Sequence, residues 1–231
     1  WLGKYYASTI AFKELEPALV ISEDRMLTDD LEVETDLIIR AKLDLNGHKL
    51  TAKRNVTIEG GNGSLVLNKG TANIEGNIIT NNDGKIVMDN KADKVTVNGT
   101  AIFNGSSKMT AGTLELKGDI EGQIYSSDMH IVVLSGIGDQ SISGNEDNDI
   151  HFNLLDINNS DSRTITVNNR VSVESSTTID GKTLSLKCNE SRNDKSYISF
   201  GKLNADKLVI DGNVTLGSLD YKGSEITING D

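Results

Sequence analysis

Two aliphatic residues separated by one residue, then a further residue and a glycine, form a phrase that recurs along the chain. Its clearest copy is Leu114-Glu115-Leu116-Lys117-Gly118. Others are Leu43–Gly47, Val56–Gly60, Ala72–Gly76, Val95–Gly99, Val132–Gly136, Leu208–Gly212 and Ile226–Gly230, while Leu155–Asn159 and Ile165–Asn169 end in Asn. An aliphatic at every second position is the mark of a strand with one buried face. The fifth position predicts a left-handed corner with φ > 0, which Gly adopts freely and Asn tolerates best among the rest. Helices are excluded at this glycine density, since each interior Gly costs about 1 kcal/mol relative to Ala. Each phrase therefore predicts a short strand and a corner, with Leu114 and Leu116 inside and Glu115 outside. Leu116→Asp is expected to unfold the chain and Glu115→Lys to be nearly silent.

From Leu43 to Val132 the phrases start 13, 16, 23, 19 and 18 residues apart. That irregularity fits rungs of roughly twenty residues with variable corners. The predicted architecture is an all-β, right-handed parallel β-helix (solenoid). The hand follows the rule for parallel crossovers and the absence of the hexapeptide pattern of left-handed solenoids. Residues 1–30 differ: Tyr5, Tyr6, Ile10, Phe12 and Leu15 lie in a segment ended by Pro17, read as an irregular or short-helical N-terminal cap or a linker, with Ala18–Ile21 a first strand. Residues 31–231 form one continuous solenoid, read as cut from a longer chain. Ser143–Asp149 and Cys188–Lys195 are polar loops in its less regular part. Roughly nine or ten rungs at about 4.8 Å each make a rod several nanometres long.

A hydrophobic content of 36% suits a thin core fed by a few side chains per strand. The net charge of −11 offers no basic stripe for a phosphate backbone, so nucleic acid is not an expected partner. No run of 18 or more apolar residues predicts a membrane span. Cys188 stands alone, so no internal disulfide framework is encoded, and it reads as a small apolar residue.

Several stretches carry a resemblance: Lys85-Ile-Val-Met88, Val95-Thr-Val-Asn-Gly99, Met109–Gly118, His130-Ile-Val-Val-Leu-Ser-Gly136 with Gln140-Ser-Ile142, and Phe152-Asn-Leu-Leu-Asp-Ile-Asn158. Together with Leu43–Thr51, this run resembles the repeat region of large exported, cell-wall-associated surface proteins of clostridia and related Gram-positive bacteria. The corner after Val95–Gly99 is shorter than in that family, cut to Asn104-Gly-Ser-Ser-Lys108. The resemblance implies an extracellular β-solenoid at the cell surface or in the wall, joined to neighbouring domains of a longer chain. It implies no catalytic residue set.

Candidate chemistry is sparse. His48, His130 and His151 are the only histidines, and the last two flank strands in solvated or capping positions. Asn145-Glu-Asp-Asn-Asp149 offers the oxygen ligands a hard cation takes, but without the spacing of an EF-hand or a calcium-binding β-roll. Parallel β-helices that cleave acidic polysaccharides need clustered carboxylates or an Arg base beside Ca²⁺. Here Asp89, Asp119, Asp180 and Asp211 sit at corners, where Asp makes turns, and Arg25, Arg40, Arg54, Arg163, Arg170 and Arg192 are scattered. Tyr125, Tyr197 and Tyr221 are too dispersed to predict an aromatic platform for sugars. No catalytic, cofactor or metal residues are assigned. The expected function is a non-catalytic stalk or adhesin-like module contacting a wall polymer, a glycan (polysaccharide) or a host surface ligand, with a polysaccharide lyase or glycosidase as the alternative.

Overall fold

The computed structural model describes residues 17–144, 150–158, 163–168, 170–180, 183–189, 196–212 and 214–229; for residues 180, 188, 189, 196 and 197 it describes the backbone alone. The predicted cap ahead of Pro17, the Asn145–Asp149 loop and most of the Cys188–Lys195 loop lie outside the described residues. What is described is an all-β solenoid in which every pairing between named strands is parallel; no helix occurs among the described residues.

The chain visits three faces in a fixed order. The first face is a sheet of 11 strands, from Leu19–Ile21 through Leu37–Ile39 and Val56–Glu59 to Glu225–Asn229. Eleven strands at about 4.8 Å per step give a rod roughly 48 Å long. One turn takes 18 residues between Leu19 and Leu37, and 25 between Gln140 and Ile165. The second face has 5 strands, from Arg25–Met26 to Lys108–Met109, and then continues only through the isolated bridges Met109↔Ser126 and Tyr125↔His151. The third runs from Leu31–Val33 through Thr113–Leu116 and Ile131–Leu134 into the long strand Ile150–Asn158.

That long strand fuses two faces. His151 pairs with Tyr125 on the second face, while Leu154–Ile157 pair with Ile131–Leu134 on the third. A register shift between Phe152 and Leu154 marks where the corner has straightened. Strand Arg170–Asp180 repeats the arrangement, receiving Ser196–Ser199 on its first half and Gly201–Asn204 on its second.

The two-residue period decides what is inside. Leu50, Ala72, Val95, Leu114, Val132 and Leu155 stack as one buried column on the third face, with Leu116 buried two residues along. Each fully buried aliphatic contributes about 1.5–3 kcal/mol, and stacking shares that burial between neighbouring rungs. Glu115 points outward as expected, but it is not idle. It pairs with Lys94 at 3.0 Å and accepts hydrogen bonds from Ser135 Oγ (2.9 Å) and Thr96 Oγ1 (3.3 Å).

The glycine corners divide into two kinds. Gly47, Gly60 and Gly212 have φ of 83, 79 and 107°, the left-handed conformation expected of the phrase. Gly76, Gly99, Gly118 and Gly136 do not, so the single conformational rule is corrected for them. These four succeed one another at the same corner of successive rungs, and the reason there is close approach. A Cβ on Gly118 would lie 2.4 Å from the Gly99 carbonyl oxygen, and one on Gly99 would lie 2.7 Å from that of Gly76. Beside them a side-chain ladder ties rung to rung: Asp36, Asn55 and Asn77 each accept, through Oδ1, a backbone N–H of the next turn (Asn55, Asn77 and Thr100) at 2.8–3.1 Å. Asp119 does the same for Ser141 at 2.7 Å.

Candidate functional site

The regular ladder is interrupted at one place, the rung from Gln123 to Gln140 and the strand stacked on it. Strand Ile131-Val-Val-Leu134 is aliphatic on both faces: Val132 and Leu134 are buried, while Ile131 and Val133 point outward and are half-buried. Extending the two-residue period past both ends of the strand reaches Met129 and Ile137, 68% and 94% exposed. The same outward positions on the rung below are Thr113 and Glu115, and below that Lys94 and Thr96. Ile137 sits between Gly136 and Gly138 in a lengthened corner. The path from Gly118 to Ile120 on one turn becomes Gly136 to Ile142 on the next.

Exposure of large hydrophobic side chains is otherwise a property of the rod's ends. Among the described residues, Val20 and Met26 lie on the first rung and Ile226 and Ile228 on the last; the remaining three are Tyr125, Met129 and Ile137. The first and last described rungs have one described neighbour each, which accounts for the exposure of their apolar residues. The middle rung has neighbours on both sides. Outward aliphatics elsewhere, such as Ile38, Ile79 and Ile102 on the first face, are half-buried.

Next to this stripe, on the second face, Tyr125 stacks on His151 with ring centroids 4.9 Å apart and planes 16° from parallel. His151 is oriented by Ser172 Oγ, 2.9 Å from Nδ1, and by Glu174 Oε2, 3.4 Å from Nε2. Serine, imidazole and carboxylate thus stand in sequence, the order of residues in a nucleophile relay. Catalysis also needs free donors aimed at a developing oxyanion. Ser172 lies in a strand paired on both sides, with His151 and with Ser199, so its surrounding N–H groups are engaged in the ladder. The cluster positions an aromatic ring.

Beneath this surface, polar groups replace part of the aliphatic core. Ser126, His130, Gln140, Asn153 and Arg163 are five of the ten buried polar or charged residues described, all on this rung and the next. Asn153 receives Ser175 Oγ–H at 2.8 Å, donates through Nδ2 to the Asp128 carbonyl, and donates its backbone N–H to Ser126 Oγ at 2.9 Å. Gln140 Nε2 donates to the carbonyls of Leu116 (3.2 Å) and Gly118 (2.5 Å), and its Oε1 accepts from Gly136 N–H (3.3 Å) and from Arg163 Nη1. Arg163 Nη2 donates to the Leu134 carbonyl at 2.6 Å. Burial holds the Arg163 guanidinium below its usual pKa, with Asp139 opposing the shift.

His130 corrects the expectation of a solvated or capping histidine. It is fully buried, and neither ring nitrogen has a protein hydrogen-bond partner. Burial alone pushes its pKa from 6.5 down to about 4. Its register places Gly112 on the rung below and Asn153 on the rung above. His151 is half-buried in the stack described above, and His48 lies at the surface, Nδ1 3.7 Å from Asp30 Oδ1. On the rim of the stripe, burial pushes the Glu115 carboxyl up, but Lys94 and Ser135 outweigh it and hold the group below 4.5. Burial raises that of Asp156, against a hydrogen bond from Thr178.

The remaining sequence candidates stay apart. Asp89 meets Lys108 at 3.4 Å, Asp119 and Asp211 serve rung-to-rung hydrogen bonds, and Tyr221 donates to backbone carbonyls. A concavity of about 530 Å³ lies near the first described rungs, lined by Ser22, Glu23, Asp24, Arg40, Lys42 and Lys85 among others, with acids and bases close to balance. Among the described residues no group of three or more His, Cys, Asp or Glu side chains is placed to hold a metal ion, and no helix is long and apolar enough to cross a membrane. The middle rung escaped the sequence reading, although its signal was present: in Ile131-Val-Val-Leu134 the polar alternate drops out. Comparison with known protein families, curated proteins and solved structures finds no match to this chain.

Proposed function

We propose that the solenoid is a non-catalytic segment of an exported bacterial surface protein, a stalk whose middle rung is a contact surface for a wall polymer, a glycan or a host partner. The observation that carries the reading is the exposure of Tyr125, Met129 and Ile137 in mid-rod, where stacking geometry does not force it. A continuous parallel ladder supports the stalk, since it fixes a stiff separation between whatever lies at its two ends. The net charge of −11 suits a soluble surface that repels anionic polymers except where apolar groups are offered.

The test pairs a glycan array and a reducing-sugar assay with the wild-type chain and a Met129→Ser/Ile137→Ser variant. Binding without turnover, lost in the variant, supports the contact surface. Turnover of any polysaccharide would favour a glycan-active enzyme instead.

A further inference from the structure

Resting on that reading of the middle rung, we propose that the stripe Met129, Ile131, Val133 and Ile137 docks a cationic polypeptide segment bearing aliphatic side chains. The contact is then to a protein partner, not to a sugar.

Three observations separate these partners. The stripe is aliphatic, whereas sugar rings are recognised by open aromatic faces and convergent polar groups. Tyr125 is the exposed aromatic of this rung, and one of its faces is already taken by His151. Next, the stripe is a single line of side chains along one rung: Ile131 and Val133 stand about 7 Å apart on the strand, with Met129 in the turn before it and Ile137 in the corner after it. Finally, its rim carries more acids than bases, with Lys94 and Lys117 set against four carboxylates. Glu115 and Asp156 flank Val133 on the rungs below and above, while Asp128 and Asp139 border Met129 and Ile137. Glu115 is paired with Lys94, but no ion pair forms at Asp128 or Asp156 among the described residues. Two copies of this surface would bring like charges together, which argues against self-association here. Lysine or arginine beside the aliphatic anchors would answer both the apolar stripe and its rim.

The probe is a fluorescein-labelled peptide of alternating leucine and lysine, titrated against the full chain by anisotropy. The same peptide with glutamate for lysine and a peptidoglycan digest serve as competitors. The expected result is saturable binding by the lysine peptide, weaker binding by the glutamate peptide, and a loss of roughly tenfold or more in Met129→Ser/Ile137→Ser. Both positions are exposed, so the variant keeps its fold, checked by its melting temperature. Ile226→Ser, at the rod's end, should leave affinity unchanged. This control removes non-specific attraction to an acidic protein, which Met129→Ser/Ile137→Ser would not touch. If the digest binds through this rung and the lysine peptide does not, the partner class is wrong while the contact surface stands. If the variant changes neither, the contact surface fails with it. A dimer in sedimentation that the variant dissolves would make a second copy the occupant and overturn the proposal.

Discussion

Replacing His130 by leucine separates two consequences of burying an imidazole without partners. In the unfolded chain the ring takes up a proton near 6.5; in the fold burial delays this to about 4. Between those values the unfolded state binds more protons, so falling pH favours unfolding. The contribution of His130 to stability is unimpaired above about pH 6.5, erodes as pH falls toward 4, and then levels off. The full loss is roughly 3 kcal/mol, from about 1.4 kcal/mol per pKa unit. Leucine of similar bulk removes the titration, and it also removes two buried nitrogens whose desolvation costs about 1–3 kcal/mol. The variant should therefore equal or exceed wild type at neutral pH, with an advantage that grows by roughly 3 kcal/mol between about pH 7 and 4. Urea melts across that range measure this as a difference, so carboxylates and the other histidines, common to both proteins, cancel. Hydrogen exchange should place the weakening at residues 125–130, because this corner is held by isolated bridges instead of a ladder. A wild-type minus variant difference that stays flat across the range would refute the reasoning.

Three further perturbations test the packing. Leu116→Asp buries a charge in the aliphatic column and should cost on the order of 5 kcal/mol; Glu115→Lys, beside Lys94, should cost about 1 kcal/mol and not zero, both read from denaturant midpoints. Gly118→Ala, forced against the Gly99 carbonyl, should cost about 1–3 kcal/mol, whereas Gly47→Ala meets open space and suffers only its φ of 83°, about 1 kcal/mol; equal pH-independent losses with D-Ala at both sites would contradict the two-kind division, since D-Ala should relieve Gly47 alone. Gln140→Leu strands the Arg163 guanidinium without its side-chain acceptor and should lose roughly 3 kcal/mol, while adding Arg163→Met should restore most of it; additive losses in that double-mutant cycle would show the pair to be uncoupled.

The strands and their facing were legible because each depends only on a two-residue period within a few residues of chain. Leu114, Leu116 and their stacked counterparts needed no knowledge of the neighbouring rung to be placed inside. The corners were half legible. Gly47 and Gly76 end the same phrase, yet one answers to its own φ and the other to a carbonyl on the rung beneath. Local sequence cannot distinguish a glycine required by its own torsions from one required by its neighbour. The fusion of two faces at Phe152 and Leu154, and the pairing of Gln140 with Arg163 across a lengthened turn, are likewise matters of register. Register is set by how many residues each corner absorbs, here anywhere between 17 and 27 per turn.

The same dependence explains why the candidate site lies where it does. A rung of constant length repeats its neighbour's contacts, so its outward residues are free to be polar and its inward ones aliphatic. The turn through Gln140 and Ile142 lengthens one corner, and the extra chain is filled inward by Gln140 and Arg163 and outward by Ile137. Burying a guanidinium and an amide in an aliphatic column is weak evidence of stability, because well-packed apolar residues do that as well or better. What the polar pair does provide is a fixed shape for the lengthened corner. Four hydrogen bonds at the Gln140 side chain, two donated and two accepted, and one from Arg163 to the Leu134 carbonyl hold it against the rungs on either side. An exposed isoleucine on a free loop would collapse or wander; on a pinned one it is held at the surface. The buried polar groups and the exposed apolar ones are two aspects of one departure from the repeat, and loosening the first should blunt whatever the second binds.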